Sequence, residues 1–414
     1  MQFFAEQLHT PVLGEYDIIV AGGGVAGVCA AVAAKRAGTG RVLLLEKGVL
    51  FGGLATQGLI SLYEPICDGM GRKITYGMGA ELMRLCMRYG PDELPEQWRG
   101  DPDRSPDNGE KYRTFFSPAM FALALDEFVL HAGVEVLFDT QVAAPVMEGG
   151  RCAGLIVENK NGRGLYRAKA VIDTTGDADV FFRAGAPCVT GSNYMTYLAY
   201  RADMEAAENA VSQHNLLKAR KWTLMGSGPR GNGHPEGTPL VGGTTAEEVT
   251  GYVLAGRKLL LDSMRGEDRF TRDISVLPTM AQFRTTRHIQ AAYTVRKSDL
   301  CKPLEDSIGV VADFSTAGEW YEVPYRSLYH PDYPNLWTAG RTAAADGWAW
   351  VVIRVIPGCA CSGQAAGLAA ALCLKHGFAA AALPYAMLAD ALVAEGGRPH
   401  ITHDFEEPEA CAHR

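Results

Sequence analysis

The apolar positions mark strands and helices in alternation. Tyr16 to Val20 (YDIIV) is an apolar, β-rich run of strand length, and Arg41 to Leu45 is a second. Between them Val28 to Ala37 is rich in alanine and other good helix formers, with Gly38 placed to end it. A further helix is predicted over about Ala80–Arg88. Another runs from Ser117-Pro118 to His131, with Ser as N-cap, Pro in the first turn and Gly133 as the stop. Val134–Phe138 reads as a third parallel strand. Gln141–Met147, Cys152–Asn159 and Gly164–Lys169 are joined through Gly149-Gly150 and Asn161-Gly162, both hairpin signals, so they form an antiparallel meander. Ala170–Asp173 returns to the main sheet.

From about Gly185 to Tyr329 the pattern changes. Thr245-Ala246-Glu247-Glu248 is a capping box that opens a helix to about Ser263. A helix over Phe283–Tyr293 would place Arg284 and His288 on one face, with Arg287 beside them. Trp320–Arg326 is extended and leads to a last strand near Leu336. The expected fold class is α/β: a Rossmann-like parallel sheet with an inserted β-meander, plus a discontinuous α+β substrate domain over residues 185–329. The domain of the main sheet takes residues 1–60, 117–184 and 330–380. Residues 1–15 are expected to form a surface arm, 61–116 covering loops with an exposed polar insertion at 90–111, and 381–414 a tail.

The first strand and helix meet at Ala21-Gly22-Gly23-Gly24-Val25-Ala26-Gly27, a G-x-G-x-x-G turn. Gly22 allows the tight turn, Gly24 lets a pyrophosphate approach the backbone, and Gly27 lets helix and strand pack closely. The helix start presents unpaired N–H groups and its positive dipole end to phosphates. Glu46 ends the second strand, where a carboxylate can accept from both ribose hydroxyls. Strand, glycines, helix, strand and acid in this order specify dinucleotide binding.

Glu46-Lys47 followed by Gly52-Gly53-Leu54-Ala55-Thr56 resembles flavoproteins with a glutathione-reductase-type FAD fold. Ile172–Asp179 (IDTTGDAD) is similar to the signature by which that chain re-enters its FAD domain. Asn335–Arg341 (NLWTAGR) and Gly363-Gln364-Ala365-Ala366-Gly367 resemble its last strand and flavin-capping helix. Most of Tyr16–His376 thus resembles the broad family of FAD-dependent oxidoreductases distantly related to fumarate reductase flavoproteins and thiazole synthases. The resemblance implies bound FAD. It adds Val142, Thr175, Gly176, Asp177, Gly340, Gly363 and Gln364 to the cofactor contacts named above, and it lays the covering loops over the flavin. Where many related flavoproteins carry an acid after the glycine of the last strand, this chain has Arg341, with Asp346 as the expected substitute for the ribityl contact. A second G-x-G-x-x-G is missing, which argues against a dedicated nicotinamide domain.

A chain of 414 residues has room for two or three domains, and its net charge of −8 argues against nucleic acid or an anionic membrane as main partner. Cys359–Leu374 is apolar but short for a membrane span and reads as a buried helix. The N-terminus lacks the pattern of a secretory signal, and ten scattered cysteines without C-x-x-C spacing fit reduced thiols in a cytoplasmic protein. No metal site is expected, and the sequence leaves the oligomeric state open.

Chemistry is expected beside the flavin. Arg284, Arg287 and His288 suit an acidic substrate and proton transfer, because arginine forks grip carboxylates and histidine titrates near neutrality. Arg354 matches an arginine of the family's flavin-side motif. Tyr63, Glu64 and Asp68 are candidate acids or bases, and Trp348 and Trp350 a stacking wall for a planar ring or a sugar. Cys359 and Cys361, at the start of the capping helix, are candidate redox thiols. Covalent flavin attachment through a nearby Cys or His is a further possibility. The expected function is hydride transfer between flavin N5 and a small polar metabolite, acidic or sugar-like, with Arg287 and His288 polarising it. The alternatives are a flavin oxidase or monooxygenase, and a flavin-binding electron-transfer subunit that needs a partner.

Overall fold

The computed structural model describes residues 4–94, 111 and 113–401. The heart of the polar insertion (95–110) and the tail from 402 lie outside the described residues. β1 (Val12–Ala21) is the centre of the main sheet, and its Ile18, Ile19, Val20 and Ala21 are fully buried, as a parallel strand covered on both faces requires. It lies parallel to β2 (Val42–Leu45) on one side and β8 (Gly162–Asp173) on the other, and β5 (Glu135–Leu137) continues the sheet beyond β2. β8 serves two neighbours along its far edge. Its first half pairs antiparallel with β7 (Arg151–Asn159), which pairs with β6 (Gln141–Glu148); its last residues pair parallel with β16 (Leu336–Thr338).

Helices cover this sheet. α1 (Val25–Arg36) packs along α6 (Ile356–His376) at backbone distance. A Cβ on Gly363 would stand 2.2 Å from the Ala26 carbonyl oxygen, and one on Gly367 equally close to that of Ala30. The two glycines, four residues apart, therefore form one stripe that α1 occupies. By length and composition α6 could cross a membrane, yet 83% of its apolar window is buried inside this fold. Gly367→Val is expected to cost about 1–3 kcal/mol by overpacking. Thermal unfolding checks this: a clear drop in Tm is predicted, and an unchanged Tm would contradict the close helix contact. α2 (Met78–Met87) and α3 (Pro118–His131) pack against one another beside this pair.

The remaining strands form smaller sheets apart from the main one. β3 (Leu62–Tyr63) pairs with β4 (Thr114–Phe115), and β9 (Cys188–Thr190) with β13 (Arg287–Ile289). β10 (Thr196–Asp203) lies between β11 (Lys221–Gly226) and β12 (Arg272–Val276), and β14 (Ser307–Ala312) pairs with β15 (Trp320–Pro324). α4 (Ala246–Ser263) begins at Thr245, whose hydroxyl accepts from the Glu248 N–H at 3.2 Å, the cap its sequence specifies. α5 (Gly347–Ile353) turns directly into α6.

Three expectations are corrected. The N-terminal arm is in part sheet, since Val12–Glu15 already pairs with β8. The last meander strand and the return strand are one, because β1 pairs with β8 from Leu165 to Asp173. Most consequentially, Phe283–Tyr293 is not a helix. Asn193 Oδ1 accepts from the N–H groups of Arg284 and Thr285 at 2.7 and 3.0 Å, and Arg287–Ile289 pairs with β9. The β-branched Thr285, Thr286 and Ile289 favour that extended course.

Candidate cofactor and active site

A cavity of about 430 Å³ opens where β1, β2, β8 and β16 end, which is where open parallel sheets bind ligands. Gly22 is left-handed (φ +108°) and Gly24 is the N-cap of α1. A Cβ on Gly24 would meet no protein atom, because that side of the turn faces the cavity. Gly27 serves packing instead: its Cβ would stand 1.8 Å from the Gly22 carbonyl oxygen, and it does not line the cavity. The second glycine pair abuts the first. Gly52 (φ +98°) donates its N–H to the Gly23 carbonyl at 2.9 Å, and Gly53–Ala55 is one turn of 3-10 helix.

Glu46 is only 6% exposed and lines the cavity. Its carboxylate accepts from the N–H groups of Gly23 (2.7 Å) and Gly48 (2.6 Å). A carboxylate has about four acceptor positions, so two remain for ribose hydroxyls. Glu46→Ala is therefore expected to weaken FAD binding on the order of tenfold to a few hundredfold, since hydrogen bonds to a charged group contribute roughly 1.5–3 kcal/mol each. It also strands two backbone donors, so the FAD-free protein should lose stability. Titration with FAD beside a melting curve checks both, and unchanged FAD affinity would contradict the assignment.

The return from β8 completes the nucleotide side. Asp173 is fully buried, and burial pushes its carboxyl up to about 6. Its oxygens hold Thr175 and the first N–H groups of the short helix Asp179–Arg183. Arg341 donates to the Gly176 carbonyl and to Asp177 (2.8 Å), tying the end of β8 to the turn after β16. Lys47, Leu54, Ala55, Val142, Thr175, Gly176, Gly340 and Arg341 all line the cavity with Val25 and Ala26.

Further charged groups line the cavity. Arg354, at the end of α5, and Arg284 both line it. Neighbouring arginines have acids: Arg287 lies 3.8 Å from Asp179, Arg326 2.9 Å from Asp306 and Arg341 2.8 Å from Asp177. Arg284 and Arg354 form no ion pair among the described residues; Arg284 spends one N–H on the Gln282 carbonyl, and Arg354 Nε has no partner. Desolvation, with Arg284 and Arg341 nearby, pushes Arg354 down to about 9, and desolvation also lowers Arg284. Glu64 lines the cavity too, its buried Oε2 without a hydrogen-bond partner. Burial pushes its carboxyl up to about 7, against the opposing pull of Arg113 and Arg354.

Several expected residues stand away from the cavity. Arg287 is 5% exposed and stacks 3.9 Å from the centre of the Phe182 ring. His288 is 3% exposed; its Nδ1 bonds the Ile289 carbonyl at 2.7 Å, its ring meets Trp350 edge-on, and burial favours its neutral form. Strand geometry, rather than the expected helix, turns both into packing. Tyr63 donates to the Gly79 carbonyl (2.6 Å), and Asp68 is paired with Arg72 (2.7 Å). Asp346 is the exposed N-cap residue of α5 and does not line the cavity. Gln364 accepts from the Met78 N–H, Gly363 packs on α1, and Thr56 donates to the Phe51 carbonyl. Trp350 donates to the Arg341 carbonyl and Trp348 to Asp313. Cys359 reaches the cavity wall, but burial pushes its thiol up to about 11 and that of Cys361 to about 12, the reverse of an activated thiolate. The sequence offered no motif for Trp222, Met280 and Phe314, which complete the wall from separate segments.

The glycine turns with their open face, the carboxylate at the end of β2 and the helix start together fit a flavin dinucleotide, and define an oxidoreductase built on a dinucleotide-binding sheet. The chain belongs to the FAD dependent oxidoreductase family, which it matches over residues 17–228 and 258–392, and FAD is its cofactor. Three solved structures are among those the chain is similar to. One is p-nitrophenol 4-monooxygenase from Pseudomonas putida (12% identity over 96% of this chain and 88% of that one, TM-score 0.47). Another is a geranylgeranyl bacteriochlorophyll reductase-like protein from Thermoplasma acidophilum (14%, 92% and 83%, TM-score 0.41). A third is 3-ketosteroid-Δ4-(5α)-dehydrogenase from Rhodococcus jostii (16%, 87% and 98%, TM-score 0.39).

Proposed function

We propose that the protein is a dehydrogenase or reductase that exchanges a hydride with a small metabolite bearing a carboxylate. The observation that carries this reading is the pair Arg284 and Arg354: two arginines that line one cavity, neither in an ion pair among the described residues, with Glu64 near Arg354 but beyond ion-pair distance. Both are half-buried at the cavity, and once ligands displace its water two cations without ion pairs favour an anion there. FAD, when bound, supplies the two-electron acceptor or donor. The start of α1 and the two glycine turns would hold its pyrophosphate, and Glu46 its ribose.

The chain's own groups then divide the work. Arg284 and Arg354 bind and orient the substrate carboxylate by forked hydrogen bonds. In oxidation the substrate C–H gives up a hydride with both electrons, and a proton leaves the neighbouring atom as the new double bond forms. Glu64 Oε2 takes that proton and returns it in the reverse direction; a carboxyl near 7 is poised for both. Neutral His288, held on the Ile289 carbonyl, has no part in this scheme. The test is anaerobic mixing of the FAD-loaded protein with a metabolite panel. Bleaching by a saturated or hydroxy acid is expected, and bleaching by neutral alcohols or sugars alone would overturn the reading.

A further inference from the structure

Two aromatic side chains face this cavity with their polar needs already met. Trp222, on β11, donates its indole N–H to the Leu59 carbonyl at 2.8 Å, and Phe115 meets it edge-on with ring centres 5.4 Å apart. Phe314 packs against Trp348 at 5.5 Å. Trp348 is itself fixed, its N–H on Asp313 (2.5 Å) and the Arg230 guanidinium over its ring at 4.5 Å. Both cavity aromatics are thus held by interactions that leave only ring surface for a ligand. Gln57, which also lines the cavity, donates its side-chain N–H to the Leu50 carbonyl.

We infer that the substrate carboxylate is attached to a flat, unsaturated or aromatic body that lies against Trp222 and Phe314. This rests on the carboxylate reading above and narrows it. A sugar acid would bring hydroxyls against these two rings, and those hydroxyls would lose their water without a partner in return. A planar ring loses nothing there and gains offset or edge-on contact with two anchored rings. Rings already fixed before binding add this contact at little ordering cost.

Calorimetric titration of the FAD-loaded protein under oxidised, non-turnover conditions tests the inference with trans-cinnamate, 3-cyclohexylpropanoate, gluconate and cinnamamide. Cinnamate is expected to bind at least tenfold tighter than gluconate and several-fold tighter than the puckered cyclohexyl acid. Phe314→Leu, which keeps the apolar packing, should shrink the cinnamate preference several-fold while leaving gluconate unchanged. Trp222→Phe should do the same and guards against a folding defect in either variant. Gluconate or the cyclohexyl acid binding as tightly as cinnamate, with cinnamamide still rejected, overturns this inference alone. Cinnamamide binding as tightly as cinnamate overturns the carboxylate reading, and this inference with it.

Discussion

Arg354→Met is expected to leave FAD content and the visible spectrum near wild type and to slow reduction of the flavin by substrate at least a hundredfold. Removing one partner of a desolvated, hydrogen-bonded charge pair typically costs 2–5 kcal/mol. That range corresponds to factors of roughly 30 to several thousand. Arg354→Lys retains a charge but not the planar fork, so it should recover only part of the loss. The side chain has no internal ion pair to break, and its Nε has no hydrogen-bond partner, so stability should not fall with activity. Rapid mixing at saturating substrate separates binding from the chemical step. Wild-type rates in both variants would contradict the role.

Glu64→Gln should remove a pH dependence as well as rate. With its carboxyl raised to about 7 chiefly by burial, Glu64 is protonated below that value and charged above it. As the base in substrate oxidation it must be charged, so the wild-type rate should rise with pH through about 7 and level off above. In the reductive direction the same group acts as an acid, and the dependence reverses. The amide cannot carry the proton; the rate should fall by about 100-fold or more and the profile should flatten near neutrality. A Gln variant that keeps the wild-type profile would move the acid–base role to another group.

The sequence made the nucleotide side legible because its signals are local. Gly22, Gly24 and Glu46 sit in a single β–α–β unit, and backbone needs alone fix their spacing. The meander was legible for the same reason, through its two hairpin turns. The chemical end was partly hidden. Arg284 was identified, but on a helix that does not form: Asn193, far away in sequence, captures two of its backbone N–H groups, and β9 pairs with the residues that follow. Short segments with mixed propensity take the structure their partners impose. Arg287 and His288 therefore went to packing, while Arg354 and Glu64 hold the cavity. Trp222, Met280 and Phe314 could not be seen in advance, since they come from separate segments and only the tertiary fold gathers them. Gly363 was read as a flavin contact, yet Gly363 and Gly367 together admit α1. Close packing and close ligand approach ask for the same residue, so sequence alone does not separate them.

The most direct measurement of the central claim is anaerobic stopped-flow reduction of the FAD-loaded protein by an acid that bleaches it, set beside the matched primary amide. The amide keeps size and shape and loses only the charge that Arg284 and Arg354 are there to bind. The account predicts rapid bleaching by the acid and a rate at least a hundredfold lower with the amide, a gap that closes in Arg354→Met. Equal rates for acid and amide in the wild-type protein would contradict it.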